Sequence, residues 1–441
     1  MVAVTIAIPA YRTAFLPQAI CSALTQTHTN FELLVSDDSP DHSVSELVGR
    51  FRDPRIRLIR GPRLGLVANS VHVWEQASHD LLKYLYDDDL LYPTAVSELA
   101  AALQARPACA LAVCRRDIID TWGRRLRSPP GFIGGDVAEF GRGVIARHLV
   151  TNLQNVLGEP TAMMLRRSAF PDASCLDNYA GFPIRHLIDV ALQMNASERS
   201  ITVALPATLA AFRQHHGQMS SLQGSPTFSA GLFEWEICLR GAVARGVVDP
   251  TAAAQGVPRL DALYQRFGEG YGEIDLLRRG LPQLHEQLAA GRTDTLTEEF
   301  RAHLDIARTW IEGRRSDPTA EMAGEGQAGS EAHEAGSRAQ CWVDQISATS
   351  VAGWAWIPDA PEQRVRVEAE SRGRVIGHAV ANQVRPELVE SRVGDGAYGF
   401  ELRFYQPLTD GDSPELRFYG PEVAVMPIAL PPGPATAERQ L

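Results

Sequence analysis

The chain has 441 residues, 45% of them hydrophobic, and a formal net charge of -11. That length leaves room for about three domains of ordinary size, and the acidic balance excludes the basic stripe of a nucleic-acid-binding surface. Cys21, Cys109, Cys114, Cys175, Cys238 and Cys341 include no CxxC pair, so neither a zinc site nor a disulfide framework is expected, and a reducing cytoplasm fits.

The apolar start, residues 2–8, lacks a basic flank and is interrupted at Pro9. No later run reaches the ~18 apolar residues of a membrane span, so no leader or transmembrane segment is expected, and peripheral contact at the inner face of the membrane stays open. Short β-branched runs at 2–8, 31–36, 55–60, 81–86 and 108–114 alternate with helical patterns near 16–26, 43–51, 66–76 and 94–104. That alternation is the signature of parallel βαβ units with helices on both faces of a Rossmann-like sheet. In such open sheets ligands bind beyond the carboxyl ends of the strands. Pro9-Ala10-Tyr11, Asp37-Asp38-Ser39, Gly61-Pro62-Arg63 and Asp87-Asp88-Asp89 are therefore expected to converge. Three consecutive carboxylates repel one another, and a hard divalent cation such as Mg²⁺ or Mn²⁺, completed by phosphate oxygens, relieves that repulsion.

From 142 to about 223 the pattern is mixed, with an apolar segment at 161–165, a helix-like stretch at 184–195 and a strand-like one at 201–212. Residues 225–315 read as helical, and 316–340, rich in Gly, Ala, Glu and Ser, as a flexible linker. Residues 342–419 alternate in period two between Gly- and Pro-rich turns, which predicts a small antiparallel β domain. The expected division is a catalytic domain at 1–224, a helical region at 225–315, the linker, a β-sandwich-like module at 341–430 and a disordered tail at 431–441.

Several short motifs follow one another along the first half of the chain. They are Ile6-Ala7-Ile8-Pro9-Ala10-Tyr11, Val35-Ser36-Asp37-Asp38-Ser39-Pro40-Asp41, Asn69, the aspartate triplet, Gly158-Glu159-Pro160-Thr161-Ala162, Ile188-Asp189-Val190-Ala191-Leu192, and Arg213-Gln214-His215 with Gly217-Gln218-Met219-Ser220. In this order they resemble the motif series of family 2 glycosyltransferases with a GT-A fold, in the subgroup that glycosylates bacterial surface polysaccharides.

The resemblance implies a role for each position. Residues 85–93 align with the family's L-D-x-D-D-x-x-x-P, so Asp88 falls on the second carboxylate of D-x-D and is the first choice of metal ligand. Tyr86 stands where many members carry the first aspartate, which leaves Asp87 or Asp89 to supply the other contact. His215 would be the late-chain metal ligand and Arg213 a phosphate clamp suited by its planar fork. Asp38 would accept hydrogen bonds from the base, Pro9 and Tyr11 would wall it, Arg63 would meet the diphosphate, and Asn69 belongs to the same donor side. Asp189 matches the catalytic aspartate, although Ile188 replaces its usual acidic predecessor, and Asp177 is the alternative base. An acceptor hydroxyl has a far higher pKa than a carboxylate, so proton removal must accompany attack.

The expected function is a hexosyltransferase-like, inverting enzyme using Mn²⁺ or Mg²⁺. It would move a sugar from a UDP, dTDP or GDP donor to a glycan or lipid-linked saccharide in surface polysaccharide biosynthesis. Two readings compete with it. A nucleotidyltransferase would need a basic Gly-rich phosphate loop, which is absent. A non-catalytic glycan-binding scaffold would account for Tyr86 and Ile188. Trp354, Trp356 and Tyr398 of the C-terminal module could stack on sugars, but burial in a small sandwich is the stronger expectation.

Overall fold

The computed structural model describes residues 1–129, 134–215, 227–315, 339–372, 374–405, 407–409, 412, 414–419 and 423–427. The expected linker, apart from Ala339 and Gln340, and the expected tail lie outside these residues.

The N-terminal sheet has ten strands among the described residues. Its order is β3 (Ile56–Arg60), β2 (Phe31–Asp37), β1 (Val4–Ala10), β4 (Leu81–Tyr84), β9 (Met163–Arg166), β6 (Cys109–Ile119), β12 (Ile201–Arg213) and β5 (Leu90–Leu91). β7 (Arg125–Arg127) pairs with β6, β8 (Ala138–Phe140) pairs with β12, and β10 (Asn178–Tyr179) and β11 (Phe182–Pro183) make a separate hairpin. β1 is parallel to β2 and β4, and β2 to β3, as the βαβ reading requires. β9 enters antiparallel between β4 and β6, which gives the mixed sheet of a GT-A fold.

Every residue of β1 is buried, because helices cover both faces. Alternation divides its side chains: Ile6 and Ile8 join a core with Leu16 and Ile20 of α1 (Leu16–Leu24), Val44 of α2 (Ser43–Val48) and Leu99 of α4 (Ala95–Gln104). Ala7 joins the opposite core with Val73 of α3 (Leu66–Gln76), Leu149 of α5 (Val144–Asn152), Cys175 of α6 (Ser174–Asp177) and Val190 of α7 (Ile188–Arg199). That second core continues into α8 (Phe228–Ala244), α9 (Pro250–Ala254), α10 (Val257–Phe267), α11 (Gly272–Arg278), α12 (Leu281–Ala289) and α13 (Glu298–Arg315). The helical region is thus packed onto the sheet layer. Among the described residues no helix is long and apolar enough to cross a membrane.

Two boundaries differ from the sequence reading for identifiable reasons. β6 runs on to Ile119 because β12 pairs beside it as far as Arg213 opposite Ile119. The helix expected from 184 starts at Ile188, because the amides of Arg185, His186 and Leu187 donate to the Glu234 carboxylate at 2.6, 2.9 and 2.8 Å.

The C-terminal module has two antiparallel sheets. One comprises β13 (Gln340–Ile346), β14 (Ser350–Trp356) and β17 (Gly399–Arg403), the other β15 (Arg366–Ser371), β16 (Arg374–Val380), β18 (Pro414–Tyr419) and β19 (Val423–Pro427). They enclose Val351, Val367, Phe400, Leu402 and Phe418. Tyr398 is buried and donates to the carbonyl of Pro361 at 2.9 Å, as a core aromatic should. Trp354 and Trp356 are only half-buried. The module packs β16 against α1, and Val375 enters the same core as Leu16 and Ile20. Arg50 completes the contact by ion-pairing with Glu368 and Glu370.

Candidate active site

The loops after β1 and β4 are joined by one carboxylate. Asp87 Oδ2 accepts from the amides of Tyr11 and Arg12, each at 2.8 Å. Burial and the neighbouring Asp88 push Asp87 up to about 6. Asp87 therefore ties the two loops together. Pro9 is buried inside β1, whereas Tyr11 is half-exposed beyond its end, which leaves its ring open to a ligand.

Asp38 follows β2 and is buried. Its Oδ1 accepts from the Arg63 amide and its Oδ2 from the Gly65 amide at 3.0 Å, so it organises the loop after β3 while keeping lone-pair sites on both oxygens. Gly61 is required beside it, since a Cβ there would lie 2.6 Å from Asp38 Oδ1. Arg63 is exposed, with Nη2 at 3.3 Å from His42 Nε2. Asn69 is buried at the ends of β1 and β2, where Nδ2 reaches the carbonyls of Ala10 and Ser36 only at 3.5 and 3.4 Å.

The aspartate triplet splits three ways. Asp88 Oδ2 lies 3.2 Å from His215 Nε2, with both side chains partly accessible. Asp89, expected as a metal ligand, points inward instead: it is fully buried, with Oδ2 accepting from Thr161 Oγ1 at 2.6 Å and Oδ1 from the Arg213 amide at 2.9 Å. Burial and the charge of Asp88 push its carboxyl well above the usual range.

Arg213, expected as a phosphate clamp, is also fully buried. Nε donates to the carbonyl of Asp88 at 2.7 Å, Nη1 to those of Asp120 and Thr121 at 3.1 and 3.0 Å, and Nη2 to Gln18 Oε1 at 2.7 Å. Its Cζ stands 4.5 Å from the centre of the Phe15 ring, which also faces the His215 ring at 5.0 Å. A guanidinium with four donor contacts to protein acceptors is a buckle under the aspartate loop rather than a group offered to a ligand. His216 and the Gly217-Gln218-Met219-Ser220 motif lie outside the described residues.

Asp189 sits in the first turn of α7. Oδ1 accepts from the Val190 amide at 2.8 Å and Oδ2 from Asn155 Nδ2. Burial first and the charge of Glu159 second push Asp189 up to about 6. Glu159 is held by Arg116, whose guanidinium lies over Gly158: at that residue φ is +98°, and a Cβ would stand 2.7 Å from Arg116 Nη1. Asp177, the alternative base, is 3.8 Å from Arg185. Burial raises the Tyr86 phenol above the ordinary tyrosine range, and the charges of Asp189, Asp89 and Asp88 add to this.

Asn155, Arg116 and Gln18 carry no motif signal, and only the three-dimensional arrangement brings them in. Tyr86 and Glu159 stood inside quoted motifs but without a role. Among the described residues no three His, Cys, Asp or Glu side chains gather as a self-sufficient metal site. The Asp88 and His215 donors nevertheless suit a hard or borderline divalent ion that takes its remaining ligands from phosphate oxygens and water.

Residues 5–172 match the family profile described as Glycosyl transferase family 2. "Uncharacterized protein MT1568" of Mycobacterium tuberculosis (strain CDC 1551 / Oshkosh) is 28% identical over 219 residues, 48% of this chain, and the chain spans 66% of that relative, just under two thirds. Two crystal structures of S. aureus TarS are also similar. The 1-349 form in complex with UDP-GlcNAc has 14% identity and a TM-score of 0.39, covering 70% of this chain and 92% of that one. A second TarS structure has 13% identity and a TM-score of 0.37, covering 96% of this chain and 77% of that one. The profile match covers the N-terminal domain with the strand-end motifs as far as the aspartate triplet, and over those residues the chain is similar to glycosyl transferase family 2.

Proposed function

We propose that the chain is a divalent-metal-dependent, inverting glycosyltransferase acting on a nucleotide diphosphate sugar and a hydroxyl of a glycan or lipid-linked saccharide. The observation that supports this reading is that residues 158–161 touch both sides: the Gly158 amide donates to Asn155, which donates to Asp189, and Thr161 donates to Asp89, the neighbour of Asp88. In this reading the base and the cation-binding pair are thus neighbours near the carboxyl ends of the strands, where open α/β sheets bind their ligands.

In this reading Asp88 and His215 would hold Mn²⁺ or Mg²⁺, which when bound supplies positive charge for the departing diphosphate. Asp189 takes the proton of the acceptor hydroxyl as that oxygen attacks the anomeric carbon, and the bond to the diphosphate oxygen breaks on the opposite side. A carboxyl raised to about 6 is ionised at neutral pH yet more basic than an ordinary aspartate, which suits a general base. Asn155 and the Val190 amide fix its two oxygens. Tyr11 and Asp38 flank the nucleotide side, with Arg63 on the exposed lip.

The test is release of nucleoside diphosphate across a panel of UDP, GDP and dTDP sugars with Mn²⁺ and a saccharide acceptor. Turnover should collapse in Asp88→Ala and Asp189→Asn, and the product should carry inverted anomeric configuration. Unchanged turnover in either variant would remove that residue from its role. Pyrophosphate as the product would favour nucleotidyl transfer instead.

A further inference from the structure

The C-terminal module reaches the donor side of the cleft at two points. Asn382 Nδ2 donates to the carbonyl of Trp122 at 2.8 Å. Arg366 Nη1 donates to the carbonyl of Ala14 at 3.3 Å. These carbonyls belong to the two backbone segments that enclose Arg213: Asp120 and Thr121 accept from its Nη1, and Phe15 lies beneath its guanidinium. His378 of β16 is close enough for the Arg213 charge to act on it.

The turn that Asn382 grips is itself tightly specified. Asp120 Oδ1 accepts from the amides of Trp122 and Arg124, both at 2.9 Å, and Gly123 adopts φ +80°. A Cβ on Gly123 would stand 3.1 Å from Asn382 Nδ2, so the module and the turn fit with no spare room. The turn holds Arg213, Arg213 holds the Asp88 carbonyl and the Asp89 side chain, and Asp88 faces His215. Movement of the turn would be passed along this chain of hydrogen bonds to the pair that we assign to the cation.

We propose that the module is a positioning element of the donor site, with Asn382 as the residue that sets the 120–124 turn and thereby the spacing of Asp88 and His215. This rests on the glycosyltransferase reading above. Asn382 touches no reactant; it acts through Trp122 and Arg213.

The experiment uses the full chain as wild type, Asn382→Asp, Asn382→Ala and, as a control on the module's outer sheet, Trp342→Ala. Asn382→Asp keeps the shape but sets an acceptor against the Trp122 carbonyl. Hydrogen exchange of the peptide spanning 119–124, melting temperature, and affinity for UDP, GDP, dTDP and CDP in the presence of Mn²⁺ are measured for each. Both Asn382 variants should exchange faster in the turn and bind the preferred diphosphate about three- to tenfold more weakly, with kcat changing less than donor KM, as for loss of one hydrogen bond. Trp342→Ala should match wild type in both respects. Unchanged exchange in Asn382→Asp overturns the clamp. Faster exchange with unchanged affinity, or weaker binding that merely tracks a lower melting temperature in all variants, overturns the positioning role. Wild type that binds none of the four diphosphates sinks the glycosyltransferase reading, and the donor-site role with it, whatever the exchange data show for the turn.

Discussion

Asn155 donates its side-chain amide to Oδ2 of Asp189, while its own Oδ1 accepts from Gln193 Nε2 at 3.0 Å and from the Gly158 amide at 2.9 Å. The donor is therefore locked in orientation, and its hydrogen bond favours the charged form of Asp189. Asn155→Leu removes that support, so Asp189 should hold its proton to higher pH. The acid limb of the kcat profile should move upward, and the rate at pH 6 should fall by about three- to tenfold. A pH–rate profile of the two proteins checks this.

In wild type, kcat should decline as pH falls through about 6, where Asp189 takes up a proton and can no longer accept one from the hydroxyl. Asp189→Asn should lower kcat on the order of 10²–10⁴-fold at pH 7 and abolish that limb.

The same residue should trade stability for activity. Its folded pKa is raised above the ordinary aspartate value, so folding favours the protonated form, and the stability from it is present at low pH and lost as pH rises through about 6. Asp189→Asn should accordingly melt higher than wild type at pH 8, with the difference shrinking by pH 4. Thermal melts at the two pH values measure it.

Chelation of divalent ions should abolish turnover, and re-addition of Mn²⁺ or Mg²⁺ should restore it. Asp88→Ala should cost on the order of a hundredfold in kcat at saturating metal, and His215→Ala should raise the Mn²⁺ concentration needed for half-maximal rate. A metal titration of each variant separates the two effects. Asp89→Ala should instead lower the melting temperature with little change in the metal requirement, because Thr161 Oγ1 and the Arg213 amide lose their buried acceptor.

Gly158→Ala should destabilise the fold by about 1–3 kcal/mol, since it meets both a left-handed backbone and the Arg116 guanidinium. Its melting temperature should fall, and the Glu159 charge that helps to set the Asp189 pKa should shift with the displaced arginine. The pH–rate profile of the variant records that shift.

Much of this architecture was legible in the chain. Period-two and helical runs separated by turn residues place β1 to β4 and their helices, and parallel crossovers then bring Tyr11, Asp38 and the aspartates to one edge. What the runs do not encode is which partner a side chain finds across the fold. Asp89 and Thr161 are 72 positions apart, and Arg213 and Gln18 are 195 apart. Such pairings turned two expected ligand-facing groups inward. The antiparallel entry of β9 was hidden for a related reason: the apolar segment around Met163 looks the same whichever way it runs. The half-burial of Trp354 and Trp356 depends on which module face the rest of the protein covers, and local alternation carries no record of that.

Val375, far along the chain, fills a place among the side chains of α1, where full burial of a valine is worth about 1.5–3 kcal/mol. A fragment stopped after α13 would expose that oily seat on α1 to water and leave Arg50 without its acidic partners. Preparations of the N-terminal half alone should consequently be sticky and prone to self-association, and dissection of this chain is better done by point changes than by cutting it in two.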